Sequence, residues 1–335
     1  MSMPEGDGPQ TVPVDGGSPH RPLVIVGVDG SGGARAALVW AMAEAARRGA
    51  ELEVVSAAPV DFYWTDPYLV DGGRLEEVRT DTEERARALV EDVRHDPAVT
   101  AVPDSAGVPV RVVVVAEPAA ELLVRRAEEA DLLVIGSRGR SGVRSTLLGS
   151  VALHCATHAR CLVVVVHPLP QSVTAAGGKV VVGLDDSDTS REALRHAVRA
   201  AAGLGADVEG VVAYHELNPW SGLYTLGAPP VGELREHARR RGEDMVAEVV
   251  SAVSDGPRPN VRVVAAEGPA ADVLIRRAEG AALLVVGSRS RSRLVGMVLG
   301  SVALECVVHA PCPVMVVHPG IDARTAAPLA ATALG

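Results

Sequence analysis

One glycine-bearing stretch, present twice, constrains this chain more than any other feature. Gly136-Ser-Arg-Gly139 is followed after nine residues by Gly149-Ser150. The pattern returns 151 positions later as Gly287-Ser-Arg-Ser290, nine residues, Gly300-Ser301. Each copy leaves an apolar run, Leu132–Ile135 in the first and Leu283–Val286 in the second, that reads as a buried strand. The first copy leads into Val151–His158, which reads as a helix. A glycine loop that leaves a strand and opens a helix has free backbone N–H groups beside an electropositive helix start, and this suits a phosphate. Two copies at one spacing imply one domain written twice.

The flanking segments repeat in the same order. In the first half, strands are expected at residues 23–29, 52–55, 108–115, 132–135 and 161–166, with helices at 34–48, 74–93, 118–129 and 151–158. In the second half, strands are expected at 179–185, 208–213, 261–266, 283–286 and 313–317, with helices at 190–202, 231–253 and 269–279. Short Val-rich strands alternating with helices predict an α/β fold: two tandem doubly wound domains, each a parallel sheet covered by helices on both faces. The boundaries read as a flexible tail over 1–20, a first domain over 21–168, a linker over 169–178, a second domain over 179–319 and a second tail over 320–335. Ligands on such sheets bind beyond the carboxyl ends of the strands, where strand order reverses. Asp29 ends the first strand and Gly136 the fourth, so both should line one crevice, as should Asp185 and Gly287.

Composition narrows the class. Hydrophobic residues make up 47% and charged residues 22%, as in globular domains, and aromatics only 2%, so the cores must be Val, Leu and Ala. The net charge of -10 disfavours nucleic acid and anionic membranes as partners. No apolar run reaches the ~18 residues of a membrane helix. Residues 1–20 lack a secretory h-region, and a cytoplasmic location is the default expectation.

The G-x2-G-x9-G-[ST] loop after strand four, with Val26-Gly-Val-Asp-Gly-Ser31 at strand one, resembles the universal stress protein family in its tandem form. The resemblance covers about 22–168 and 179–319 and implies a five-stranded parallel sheet in each half. It implies ATP as ligand, with Mg²⁺, and a role for each matching residue. Asp29 would contact the adenosine, and Ala57 would offer backbone groups to the adenine edge. Gly136, Ser137, Arg138 and Gly139 would pass close to ribose and phosphates. Gly149, Ser150 and Val151 would give N–H groups to the phosphates, with Ser150 also a good N-cap. Asp185, Ala213, Gly287, Ser288, Gly300, Ser301 and Val302 are their counterparts in the second half. Ser290 departs from the pattern by replacing the second glycine, which costs about 1 kcal/mol if that position needs φ > 0.

Other features are weighed against plainer readings. Arg138, Arg140, Arg144, Arg289, Arg291 and Arg293 suit phosphate pairing as a group, though each singly reads as a solvated loop residue. Cys155-x2-His158-x2-Cys161 and Cys306-x2-His309-x2-Cys312 have zinc-like spacing, but buried structural thiols fit better, and no metal site is assigned. Asp185-Asp186 is a Mg²⁺ candidate of the same weak kind. The chain has no G-x4-G-K-[ST], no G-x-G-x-x-G and no G-x-S-x-G, and no general base stands out. The expectation is therefore an adenine-nucleotide-binding regulatory protein that acts through loops such as 57–73 and 214–230 on an unidentified protein partner. A slow ATPase or adenylyl-transferring enzyme, or an interaction scaffold with a vestigial site, are the alternatives. Strand five of each half is expected to pair the two halves, as the resemblance implies and because so apolar an edge left open is an aggregation hazard; a homodimer of chains is a further expectation with no surface assigned.

Overall fold

The computed structural model describes residues 21–58, 72–139, 148–168, 178–214, 231–252, 258–289 and 299–320. In the first half the strands are β1 (Leu23–Gly27), β2 (Glu51–Ala57), β3 (Val110–Val115), β4 (Leu132–Gly136) and β5 (Leu162–Val166). The helices are α1 (Gly32–Arg48), α2 (Gly72–Arg94), α3 (Pro97–Thr100), α4 (Ala119–Arg126) and α5 (Ser150–His158). The second half supplies β6 (Lys179–Gly183), β7 (Asp207–Tyr214), β8 (Val261–Glu267), β9 (Ala281–Gly287) and β10 (Val314–Val317). Its helices are α6 (Asp188–Leu204), α7 (Val231–Ala252), α8 (Ala270–Arg277) and α9 (Ser301–His309).

The strands form one ten-stranded sheet in the order β3-β2-β1-β4-β5-β10-β9-β6-β7-β8. Each half contributes five parallel strands. The halves join at β5 and β10, which run antiparallel with Val163 opposite Val316 and Val165 opposite Val314. Every residue of both strands is buried. The two apolar edges thus cover each other, and that edge is closed to a further chain.

Alternation along the strands feeds two cores. Val24, Val26, Leu132, Val182 and Met315 face α1, α2, α6 and α7, whereas Ile25, Leu133, Val181 and Val316 face α4, α5, α8 and α9. Both cores run through both halves. Fully burying a Val or Leu contributes about 1.5–3 kcal/mol, so the seam adds stability that neither half has alone.

Local rules set the helix ends. Ser31 caps α1, its hydroxyl accepting from the Ala34 N–H, and Gly49 ends the helix in the left-handed region at φ 60°. Ser187 and Gly205 do the same for α6. Residues 95–107, for which no element was expected, hold α3 and a 3-10 turn at Ser105–Gly107, and the strand expected from 108 begins at Val110. Asp96 caps α3 and also pairs with Arg35 of α1, which ties this excursion to the domain.

Two buried carboxylates sit at matching places in the halves. Glu53 on β2, 1% exposed, pairs with Arg111 of β3 and Arg126 of α4. Glu209 on β7, 2% exposed, pairs with Arg262, Arg277 and Lys179. Each carboxylate ties its sheet to the helix behind it.

Candidate functional site

In the first half, β1 delivers the chain to Asp29, whose Oδ1 accepts from the Ser31 N–H at 2.9 Å just before α1 begins. At the neighbouring strand, the Ser137 N–H donates to the Val166 carbonyl at 2.8 Å. The Gly149 N–H then donates to the Ser137 carbonyl, also at 2.8 Å, and closes the base of the loop between β4 and α5. The end of β4 packs on the backbone that opens α1, and the loop after it packs on the Asp29 carboxylate. A Cβ on Gly136 would stand 2.7 Å from the Gly33 carbonyl carbon and oxygen, and one on Gly139 would stand 2.6 Å from Asp29 Oδ2. Glycine at these positions is a requirement of close approach.

A crevice of about 260 Å³ opens at this junction, at the reversal of strand order. Of the residues expected there, Asp29, Ala57, Gly136, Arg138, Gly139, Gly149, Ser150 and Val151 line it. Ser137 does not: its side chain is fully buried behind the wall. Sequence reasoning missed the apolar wall of Leu122 and Leu123 from α4, with Ile135. The amphipathic spacing of α4 was the available signal, but it equally fits a core face.

The helix start differs from that expected. Gly149, not Ser150, is the N-cap of α5, and no side chain caps the helix; Ser150 is its first helical residue. Gly300 stands likewise before α9. The same chain caps α1 and α6 with serine side chains. Among the described residues no side chain takes the first N–H groups of the two helices that open onto the crevices, which suits them to a ligand anion.

The second crevice is about 420 Å³ and is lined by Asp185, Ala213, Gly287, Arg289, Gly300, Ser301 and Val302. Ser288 is fully buried behind it, as Ser137 is in the first half. Residues not foreseen also line it: Tyr214, and from α7 Leu234, His237, Ala238, Arg241 and Met245. Asp186, which lines it too, holds a left-handed φ of 67°. Its carboxylate pairs with Arg191 at 3.0 Å and with Arg241, so it is engaged by guanidinium groups rather than open to Mg²⁺. Ser290, Arg140, Arg144, Arg291 and Arg293 lie outside the described residues, as do 59–71 and 215–230 of the two loops.

The Cys/His pattern resolves on geometry. Cys155 and Cys161 are buried, whereas His158 is exposed and its Nδ1 lies 3.0 Å from the His154 carbonyl. Burial pushes all four thiols up to about 12, which keeps them protonated at neutral pH. Two histidines follow the central strands. His167 Nε2 lies 3.0 Å from the Val307 carbonyl of the other half, and burial lowers its pKa. His318 is held down at about 4 by burial and by the nearby Arg289.

The fold and its crevices define a tandem α/β protein with a crevice at each strand-order reversal. The universal stress protein family model matches residues 22–167 and again 178–318. A universal stress protein of Mycolicibacterium smegmatis is 31% identical over 88% of this chain and 97% of its own length. The crystal structure of a universal stress protein from Archaeoglobus fulgidus superposes with a TM-score of 0.61 at 18% identity, covering 89% of this chain and 98% of that one. A universal stress protein solved in complex with cAMP is 27% identical over 43% of this chain and 98% of its own, with a TM-score of 0.32. The chain belongs to the universal stress protein family, with two family domains in tandem. Among the described residues, no helix is long and apolar enough to cross a membrane.

Proposed function

We propose that this protein binds an adenine nucleotide, ATP in the first instance, in the first crevice and acts in stress response as a nucleotide-dependent regulatory module. The observation that carries the reading is the start of α5, which has no side-chain cap, beside Gly136 packed on the backbone that opens α1 and Gly139 packed on the Asp29 carboxylate. Phosphates would lie against Gly136–Gly139 and accept from the N–H groups of 149–151, with the Ser150 hydroxyl adjacent. The helix start contributes about 0.3–1 kcal/mol, rising to about 2 when partly buried, and each hydrogen bond to a charged phosphate about 1.5–3 kcal/mol. Asp29 stands where a ribose hydroxyl would donate, and Ala57 where an adenine edge would meet backbone. Mg²⁺ would arrive with the phosphates, which commonly supply much of its coordination.

Among the described residues Asp29 is the one carboxylate in the lining of the first crevice, and one of its oxygens is engaged by Ser31. That arrangement supports binding and release rather than rapid hydrolysis. Four free thiols suit the reducing cytoplasm, where we place the protein. Calorimetric titration of nucleotide-free protein with Mg-ATP is the test. Binding that disappears in Gly139→Asp, with turnover below about 1 s⁻¹, supports the proposal. Binding at neither crevice at millimolar ATP overturns it.

A further inference from the structure

The two crevices are built at equivalent places but to different sizes, about 260 Å³ against about 420 Å³. Three positions separate them. Gly33 at the start of α1 lets the Arg138 carbonyl descend so far that an added Cβ would meet its oxygen at 2.4 Å. The matching residue of α6 is Thr189, which carries that Cβ, so the strand-four loop of the second half must stand further off. Second, Gly30 is matched by Asp186, which keeps a left-handed backbone at φ 67° while its carboxylate holds Arg241 of α7. A non-glycine residue kept in that region is retained at a cost in strain, and here it ties α7 to the crevice mouth. Third, Ala58, just after β2, is matched by Tyr214 at the end of β7.

The added space has a definite place. The apolar lining of the first crevice comes mainly from the α4/α5 face of the sheet, and among the described residues none from α2 reaches it. The second crevice continues round the strand ends to the other face, between α6 and α7, where Val212, Ala238 and Met245 line it beside Ser190, His237 and the Asp186–Arg241 pair. Tyr214 stands beside Ala213, the residue set against the adenine edge in the reading above. A phenol ring, a thioether and small apolar side chains make surroundings that accept a flat apolar group.

We propose that the second crevice takes a larger nucleotide than the first admits: an adenine nucleotide whose base carries a second ring, lodged between Tyr214 and Met245 beneath α7. This inference rests on the nucleotide reading and deepens it. Thr189, Asp186 and Tyr214 are its specificity determinants.

N6-benzyl-ATP and ATP are titrated calorimetrically, in parallel, into the full chain and its Gly139→Asp variant. The expected result is one N6-benzyl-ATP site per chain, still present in Gly139→Asp, and weakened about tenfold or more by Ala238→Leu, which fills that space. Binding of ATP without N6-benzyl-ATP overturns the inference and leaves the nucleotide reading standing. So does N6-benzyl-ATP binding that vanishes in Gly139→Asp. Failure of both nucleotides in the unmodified chain overturns the reading itself, and the inference with it. The stoichiometry in the unmodified chain needs no variant, so a folding defect in Ala238→Leu does not decide the matter.

Discussion

Adding one methyl group at equivalent places in the two halves should have unequal consequences. In Gly136→Ala the new Cβ lies 2.7 Å from the carbonyl carbon and oxygen of Gly33 and 3.1 Å from the Ala34 nitrogen. All three are backbone atoms at the start of α1, which is anchored by the Ser31 cap and by the buried Ala34 and Ala37. Nothing there can rotate away, so α1 and β4 must part by several tenths of an ångström. Overpacking of this kind costs about 1–3 kcal/mol. In Gly287→Ala the new Cβ meets the Thr189 Cγ2 methyl at 2.9 Å, which a χ1 rotation relieves, and the Thr189 Cβ at 3.3 Å, which asks a shift of only a few tenths of an ångström. Its cost should fall below about 1 kcal/mol. At about 2–4 °C per kcal/mol for a domain of this size, Gly136→Ala should lower the melting temperature by several degrees and Gly287→Ala by one or two. Differential scanning calorimetry on both variants reads the difference. Calorimetric titration should also show Gly136→Ala losing ATP affinity, because the parted strand ends no longer frame the phosphates. Equal melting shifts for the two variants, or an unaltered Gly136→Ala, would refute the claim that backbone contact between Gly33 and Gly136 sets the geometry of the first crevice.

Three further outcomes are expected. His318 stays neutral in the folded protein down to about pH 4, whereas the unfolded chain protonates it near ~6.5. The unfolded state therefore binds the extra proton between those values, and roughly 3 kcal/mol of stability present above pH ~6.5 drains away as pH falls toward 4; urea titrations at pH 7.5 and 4.5 should show His318→Gln losing less than the unmodified chain. The four cysteines, with thiols at about 12, should resist Ellman's reagent in the native protein at pH 8 and all react in guanidinium; prompt native reaction of any one would contradict their burial. Arg126→Met leaves Glu53 with Arg111 alone, a side chain 67% exposed; chemical unfolding should register a loss of about 1–3 kcal/mol, and no loss would mean the carboxylate is satisfied without α4.

What could be read from the chain and what could not divide along physical lines. Strands and helices were legible because their periods are local: Val-rich runs of four or five residues, a helix stop at Gly49, and a motif stated twice. The joining of β5 to β10 was legible because two edges with no polar residue must be covered. The excursion at 95–107 was not legible. Its two short turns are held by contacts to α1 such as Asp96 with Arg35, a pairing 61 positions apart that no window of sequence displays. For the crevice, glycines marked where backbones approach, and the lining residues Asp29 and Ala57 followed from strand ends. Ser137 and Ser288 do not line the crevices, and a loop motif does not say which of its side chains turns inward.

The departure in the second half was sought at Ser290, the visible break in the motif. The described structure places the difference at positions with no motif of their own: Thr189 for Gly33, Asp186 for Gly30 and Tyr214 for Ala58. Each alters the crevice through a neighbour rather than by itself. Thr189 acts on a carbonyl in another loop, Asp186 on an arginine 55 positions away in α7, and Tyr214 on the space its strand end leaves open. A repeat can keep its ligand motif and still diverge in what it admits, because the motif fixes the phosphate end while packing between elements sets the size of the remainder. A duplicated domain joined through one sheet is well suited to this. The shared seam at β5 and β10 keeps both halves folded while substitutions at the far strand ends, near β2 and β7, change one crevice without disturbing the other.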